Sequence, residues 1–203
     1  MKRRDEEAHK AKHELALQIG EEIVTEMGSK GLSVRKIALA MGYSVGTLYA
    51  VFRNFDDLIL QLNGRTLDKL YTALSDAEQQ QYEQPHACLL ALSHAYLQFA
   101  IEYRLRWSMV FEPRVTREPE VPSWYQEKVS RLPSLFEKPL QALMPTLEPK
   151  AYAQITRALW GNVHGICILA LTEKFEDMNV DAIKKMLDLS VNAFLSGLNS
   201  SLA

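Results

Sequence analysis

Proline is missing from the chain until Pro85, and all eight prolines of the 203 residues lie there or later. Without that helix breaker, the N-terminal part is free to run as helix, with glycine left to mark the stops. Cysteine is scarce too. Cys88 and Cys167 make no disulfide framework, so a reducing, cytoplasmic setting is expected. No apolar run is long enough to span a bilayer, the longest being GICILALT, and the opening MKRRDEEAHKAKHELAL has no signal-peptide core. The net charge of −2 gives no global attraction to nucleic acid, so any such role must come from local charge. There is also no Gly-rich phosphate loop, no nucleophile motif and no Cys/His metal set, which argues against an enzyme, a cofactor or a metal. His9 and His13 stand four apart but lack a third ligand, and HELAL at 13–17 lacks the second histidine of a zinc-protease helix. That pair reads as part of a solvated face.

What is present is helical periodicity. Leu15, Ile19, Ile23 and Met27 recur at helical spacing over 6–27 and stop at Gly28 and Gly31. Ser33 is an N-cap for a short stripe of Val34, Ile37, Ala38 and Met41 that ends at Gly42. Ser44 is a second N-cap, with Leu48, Val51 and Phe52 inward-facing behind it. Asn54 and Asp57 form a capping-box-like pair opening a helix over about 55–75. Further helices are expected over 86–103 and 105–111, then, after a loop at 113–122, from a Ser123/Gln126 capping box onward with kinks at Pro133 and Pro139. Two more should cover 149–175, with Pro149 at N1, and 179–199, capped by Asn179. The chain therefore reads as all-α, about nine helices. Its parts would be a helix-turn-helix domain over 1–54, a connecting helix 55–75, and a larger ligand-binding and dimerisation domain over 76–203.

Charge becomes local at 27–55. No acidic residue occurs between Glu26 and Asp56, while Lys30, Arg35, Lys36 and Arg53 are basic. A surface that meets phosphates must avoid carboxylates. Hydroxyls at Ser33, Ser44, Thr47 and Tyr49, with two helix N-termini, suit backbone positioning on DNA. An ordinary helical hairpin with a chance gap in acidic charge remains the competing reading.

The residues themselves carry more. GLSVRKIALAMGYSVGTLYAVFRNFDDLI closely resembles the DNA-binding domain of the tetracycline-repressor (TetR) family, through Gly31-Leu32-Ser33-Val34, Ile37-Ala38, Gly42-Tyr43-Ser44 and above all Gly46-Thr47-Leu48-Tyr49 with Phe52. The resemblance covers about residues 10–62. It implies a recognition helix at 44–52, with Tyr43, Val45 and Gly46 at its tip meeting base edges. Thr47, Tyr49 and Ser33 would hold phosphates, with Arg35, Lys36, Ser44 and Arg53 around them, while Leu48 and Phe52 face inward. Two departures stand out. Phe55 occupies a position where the family commonly has a phosphate-reaching lysine, and Gly20 stands where alanine is usual.

In the second part, Trp160-x-x-x-His164-Gly165 resembles the Trp–His–Gly signature of one TetR C-terminal subfamily, with Trp160 and His164 on one helix face. The family resemblance implies a homodimer through the last two helices, with Ile155, Leu159, Val163, Ile166, Met186, Val191, Phe194 and Leu198 as the candidate apolar interface. Two recognition helices roughly 34 Å apart would then read a palindromic operator on double-stranded DNA. Gly161 and Gly165 would let helices approach closely. An apolar or aromatic, weakly charged small-molecule effector is expected among His94, Phe99, Tyr103, Trp107, Phe111, Tyr125, Trp160 and His164. Ligand binding would release a repressor from DNA. The alternatives are a helical protein-interaction module without sequence-specific DNA binding, and a TetR-like regulator with no small-molecule ligand.

Overall fold

The computed structural model describes residues 2–111, 121–172, 174 and 179–202, and among these there are ten α-helices, a short 3-10 turn and no strand. They are α1 (Lys2–Met27), a 3-10 turn (Ser29–Gly31), α2 (Val34–Met41), α3 (Val45–Val51), α4 (Phe55–Glu78) and α5 (Pro85–Glu102). Then follow α6 (Arg104–Phe111), α7 (Ser123–Ser134), α8 (Glu137–Leu143), α9 (Pro149–Leu171) and α10 (Val180–Leu202). The all-α expectation holds. The tenth helix comes from the expected proline-kinked segment, which breaks after Ser134 into α7 and α8. Ser123 is the first residue of α7 and not a flanking cap. The loop expected at 113–122 lies, but for its last two residues, outside the described residues.

The chain divides into two compact units. The first comprises 1–68 with 103–125, and the second comprises 69–102 with 126–203. In the first, α1, α2 and α3 close on a core of Ala16, Leu17, Val24, Ile37, Ala38, Met41, Leu48 and Phe52. Leu58 and Leu62 of α4 and Met109 of α6 complete it. Gly20 explains itself here: a Cβ at that position would stand 3.0 Å from Leu62 Cδ1, so the glycine lets α4 come close. A buried charge network ties α6 to the same core. Arg106 donates to Glu21 Oε1 at 2.6 Å and reaches Thr66, and Glu21 also pairs with Arg65 at 3.6 Å. Such a pair survives burial because each charge keeps a partner.

In the second unit α5 runs against α8, α9 and α10, and α9 pairs with α10. Leu89, Leu92, Tyr96 and Leu97 of α5 are fully buried, as are Leu159 of α9 and Leu187 and Val191 of α10. Asn179 caps α10 as expected, accepting from the Ala182 N–H at 2.9 Å.

Candidate nucleic-acid interface and aromatic site

α2 and α3 form a helix-turn-helix whose turn depends on Gly42. That residue caps α2 in the left-handed region, at φ 71° and ψ 25°, where a side chain would be strained. Ser33 caps α2 as expected, its Oγ accepting from the Lys36 N–H at 3.2 Å. Ser44 behaves otherwise. It occupies the N-cap position of α3 but makes no capping bond, and its hydroxyl meets the Thr47 hydroxyl at 3.2 Å. Both hydroxyls are thereby presented together at the start of α3.

The outward face of α3 is unusual for a protein surface. Tyr43, Val45 and Tyr49 are 44%, 36% and 54% exposed, and Ser44 and Gly46 lie among them. Leu48 and Phe52 turn inward and are buried, as expected. Gly46 has no internal reason to be glycine. A Cβ there would meet only Ser44 Oγ, at an ordinary 3.6 Å, and its backbone is not in the left-handed region. Glycine inside a helix costs about 1 kcal/mol against alanine, and no contact within the chain offsets it.

The basic residues divide by partner. Arg35 and Lys36 are exposed, and no ion pair among the described residues engages their side chains. Arg53 is drawn toward Asp57: its N–H donates to Oδ2 at 3.0 Å and its guanidinium approaches Oδ1 at 3.4 Å. Burial would raise the Asp57 pKa, but the hydrogen bonds from Arg53 and Gln61 outweigh it and hold the carboxyl below its ordinary value. Asn54 Oδ1 accepts from the Asp57 N–H at 2.8 Å, completing the expected opening of α4. Phe55 packs against the core, close to Val34, Leu48 and Leu58. Where the family commonly offers a cation, this chain has a core-filling ring.

The structure also places residues that the sequence reading set aside. His9 Nε2 lies 3.1 Å from the Ala50 carbonyl of α3, and the His13 ring stacks on Phe52 at 4.6 Å. Lys12 Nζ stands 5.3 Å from the centre of the Tyr43 ring. A spacing of four puts His9 and His13 on one helix face, and Lys12 lies beside them. Nothing in their neighbours along the chain said that α3 would cover it.

The eight candidate effector residues fall in both units. Tyr103, Trp107, Phe111 and Tyr125 belong to the first, where Trp107 and Phe111 pack edge to face at 5.2 Å. His94, Phe99, Trp160 and His164 belong to the second. There His94 is engaged by Asp188 at 2.7 Å, whereas Trp160 and His164 form a group with Tyr96. The Trp160 and His164 rings are parallel at 5.5 Å, the edge of Tyr96 meets both, and its hydroxyl lies 2.8 Å from His164 Nδ1. Burial lowers the His164 pKa, so the imidazole is neutral near pH 7. Trp160 Nε1 is buried and has no hydrogen-bond partner among the described residues. Tyr96 was missed because it reads as one more aromatic in a strongly apolar helix. Burial also pushes the Cys167 thiol up to about 12, which leaves it unreactive.

Of the candidate interface residues, Leu159, Val163 and Val191 are buried within the second unit, while Ile155, Ile166, Met186, Phe194 and Leu198 are half-buried. The outward faces of α9 and α10 carry other residues. Exposed there are Ala158, Gly161 and Leu169 on α9 and Leu189 (71% exposed) and Ala193 on α10, together with polar residues such as Gln154, Arg157, Lys185 and Asn192. Among the described residues, no helix is long and apolar enough to cross a membrane.

Comparison with known proteins agrees with this architecture. A regulator of Bacillus subtilis (strain 168), described as the uncharacterized HTH-type transcriptional regulator YobS, is 27% identical over 177 residues, covering 87% of each chain. A protein of unknown function from Rhodococcus sp. RHA1 superposes with a TM-score of 0.74 at 21% identity, over 92% of this chain and 94% of that one. RolR, solved in complex with resorcinol, superposes with a TM-score of 0.66 at 13% identity, over 92% and 89%. Residues 89–194, more than half of the sequence, match the family described as "Tetracyclin repressor-like, C-terminal domain". Together with the helix-turn-helix formed by α2 and α3, that match assigns the chain to the tetracycline-repressor (TetR) family of transcriptional regulators.

Proposed function

We propose that this regulator is a repressor that binds a palindromic operator as a homodimer and leaves it when a small, mostly apolar aromatic ligand binds. The observation that carries the DNA reading is Gly46: an exposed glycine in a short helix, with room for a Cβ and no internal use for the space. The missing side chain serves a surface that comes from outside, and base edges in a major groove are that surface. Tyr43, Val45 and Gly46 read bases. Ser33, Ser44, Thr47 and Tyr49 hold phosphates through hydroxyls, and Arg35 and Lys36 add charge, with a smaller share from Arg53 because Asp57 engages it. In this reading residues 1–54 bind DNA, 55–75 connect, and 76–203 bind ligand and dimerise, in the cytoplasm.

The outward faces of α9 and α10 support dimerisation. Gly161 and Gly165 have nothing within 4 Å of an added Cβ, and Leu169 and Leu189 are exposed beside small residues. A second copy of the same two helices fits such a face, because small residues let helix backbones approach. The ligand reading rests on the second unit. The buried Trp160 N–H lacks an acceptor, which costs about 1–3 kcal/mol and is recovered when a ligand oxygen supplies one. With His164 neutral, the group suits a neutral oxygen, as in a phenol, better than a carboxylate. The phenolic ligand of RolR lends support to that class.

The test is selection of duplexes from a random pool with the full-length protein. A palindrome with half-sites one helical turn apart, bound in a salt-sensitive way, is the expected product. Recovery of no enriched palindrome would leave the helical protein-interaction reading in its place.

A further inference from the structure

We propose that the first half of α1 belongs to the DNA-reading apparatus, with His9, Lys12 and His13 as positioning residues that grip the recognition helix at both ends. The inference rests on the reading of α3 as the helix that enters DNA. α3 has seven residues, about two turns, far short of the length at which a helix holds itself in water. Its direction is therefore set by what touches it. Leu48, Phe52 and the half-buried Val51 anchor the inward side, but three apolar contacts along one short stripe leave rotation about that stripe less well fixed than polar contacts at the helix ends would.

Contacts from α1 remove that freedom. The carbonyls of the last turn of a helix have no partner within it, and Ala50 carries one of them. His9 Nε2, 3.1 Å away, supplies an N–H to that carbonyl from a different helix. One turn further along α1, His13 stacks on Phe52, the residue that caps α3, with ring planes 23° apart. At the opposite end, Lys12 stands over the ring of Tyr43, immediately before the Ser44 N-cap. Residues 9, 12, 13 and 16 share one face of α1, and Ala16 at its foot is fully buried. The face thus begins in the core and continues past it along the whole length of α3. Contacts at an exposed edge add little to global stability, so their consequence is orientation.

The test uses the full-length protein, the palindromic duplex that the parent protein enriches, and a scrambled duplex of equal length. His9→Ala should weaken binding to the selected duplex about tenfold, the effect of losing one well-placed hydrogen bond, and change scrambled-duplex binding less than about twofold. His9→Gln, which offers an amide N–H at similar reach, should restore most of the loss. Lys12→Met keeps the stem without the charge and should lower discrimination about threefold while leaving the salt dependence unchanged. Equal losses on both duplexes, no rescue by glutamine, or a lowered melting temperature in His9→Ala that accounts for the loss would overturn the proposal. A salt slope reduced by about one in Lys12→Met would instead make Lys12 a phosphate ligand. If the parent protein enriches no palindrome, the reading of α3 itself has failed. If it enriches one and the His9 variants bind like the parent, only the grip has failed.

Discussion

Gly46 in α3 and Gly161 in α9 occupy the same local situation in different units. Each lies inside a helix, each is exposed, and at neither do the described residues crowd the space of a Cβ. Each costs its helix about 1 kcal/mol. Their surroundings differ. Around Gly46 stand hydroxyls, a Tyr43 ring held by a cation, and no carboxylate between Glu26 and Asp56. Around Gly161 stand Ala158 and Gly165, with Leu169 two turns on and an exposed Arg157 one turn back. In the proposed reading each missing side chain makes room for a surface from outside. The chemistry beside it distinguishes a polyanion from a second copy of the chain.

The largest effect expected from breaking this comparison is at the apolar face. Leu189→Arg should convert a dimer to a monomer in sedimentation and weaken operator binding by roughly a hundredfold, because two half-sites are no longer read together. A monomeric variant that still bound the operator like the parent would contradict the assignment. Tyr49→Phe should come next, with a loss of about ten- to fiftyfold for one charge-assisted hydrogen bond, equal on every duplex tested. An altered base preference, measured by repeating the selection, would move Tyr49 from phosphate to base.

Smaller effects sharpen the reading of the second unit. Trp160→Phe removes an N–H that has no partner and keeps most of the ring. Lost ring packing against Tyr96 and His164 lowers stability, and removal of the unpartnered N–H offsets part of that, so the net change should stay within about 2 kcal/mol while the response to added phenols falls. An unchanged response to added phenols would show that this N–H does not meet the ligand. His164 gives the smallest effect. Its folded pKa is depressed below the ordinary 6.5, so the unfolded chain takes up a proton that the folded one refuses. Stability should therefore decline as pH falls through about 6.5 and below, and His164→Gln should flatten that part of the curve in denaturant titrations across pH 5–7.5. A parallel curve for the variant would exclude the buried imidazole as its source.

The legibility of the molecule in its sequence follows the range of the interactions. The N-caps at Ser33 and Asn54 and the stop at Gly42 are local events within four residues, and they were readable. Gly20 was visible only as a departure from alanine, and its reason, Leu62 of α4, lies 42 positions away. Helix phase was harder. Leu159, Val163 and Val191 belong to apolar stripes, and a stripe does not say whether it meets its own chain or another. The pairs His9–Ala50, Tyr96–His164 and His94–Asp188 join residues 41, 68 and 94 positions apart, and no spacing rule along one helix reaches that far. The Ser44 hydroxyl, expected to cap α3, turned to Thr47, a choice between two near neighbours that periodicity cannot make.

If Gly46 is glycine because base edges occupy the space beside it, filling that space must weaken DNA binding without harming the fold. Gly46→Ala tests it with one protein and two readouts, denaturant stability and affinity for the selected duplex. Alanine is the better helix former and its Cβ fits the chain, so stability should rise by up to about 1 kcal/mol while operator affinity drops tenfold or more. A variant that is more stable and binds as tightly as the parent would contradict the claim.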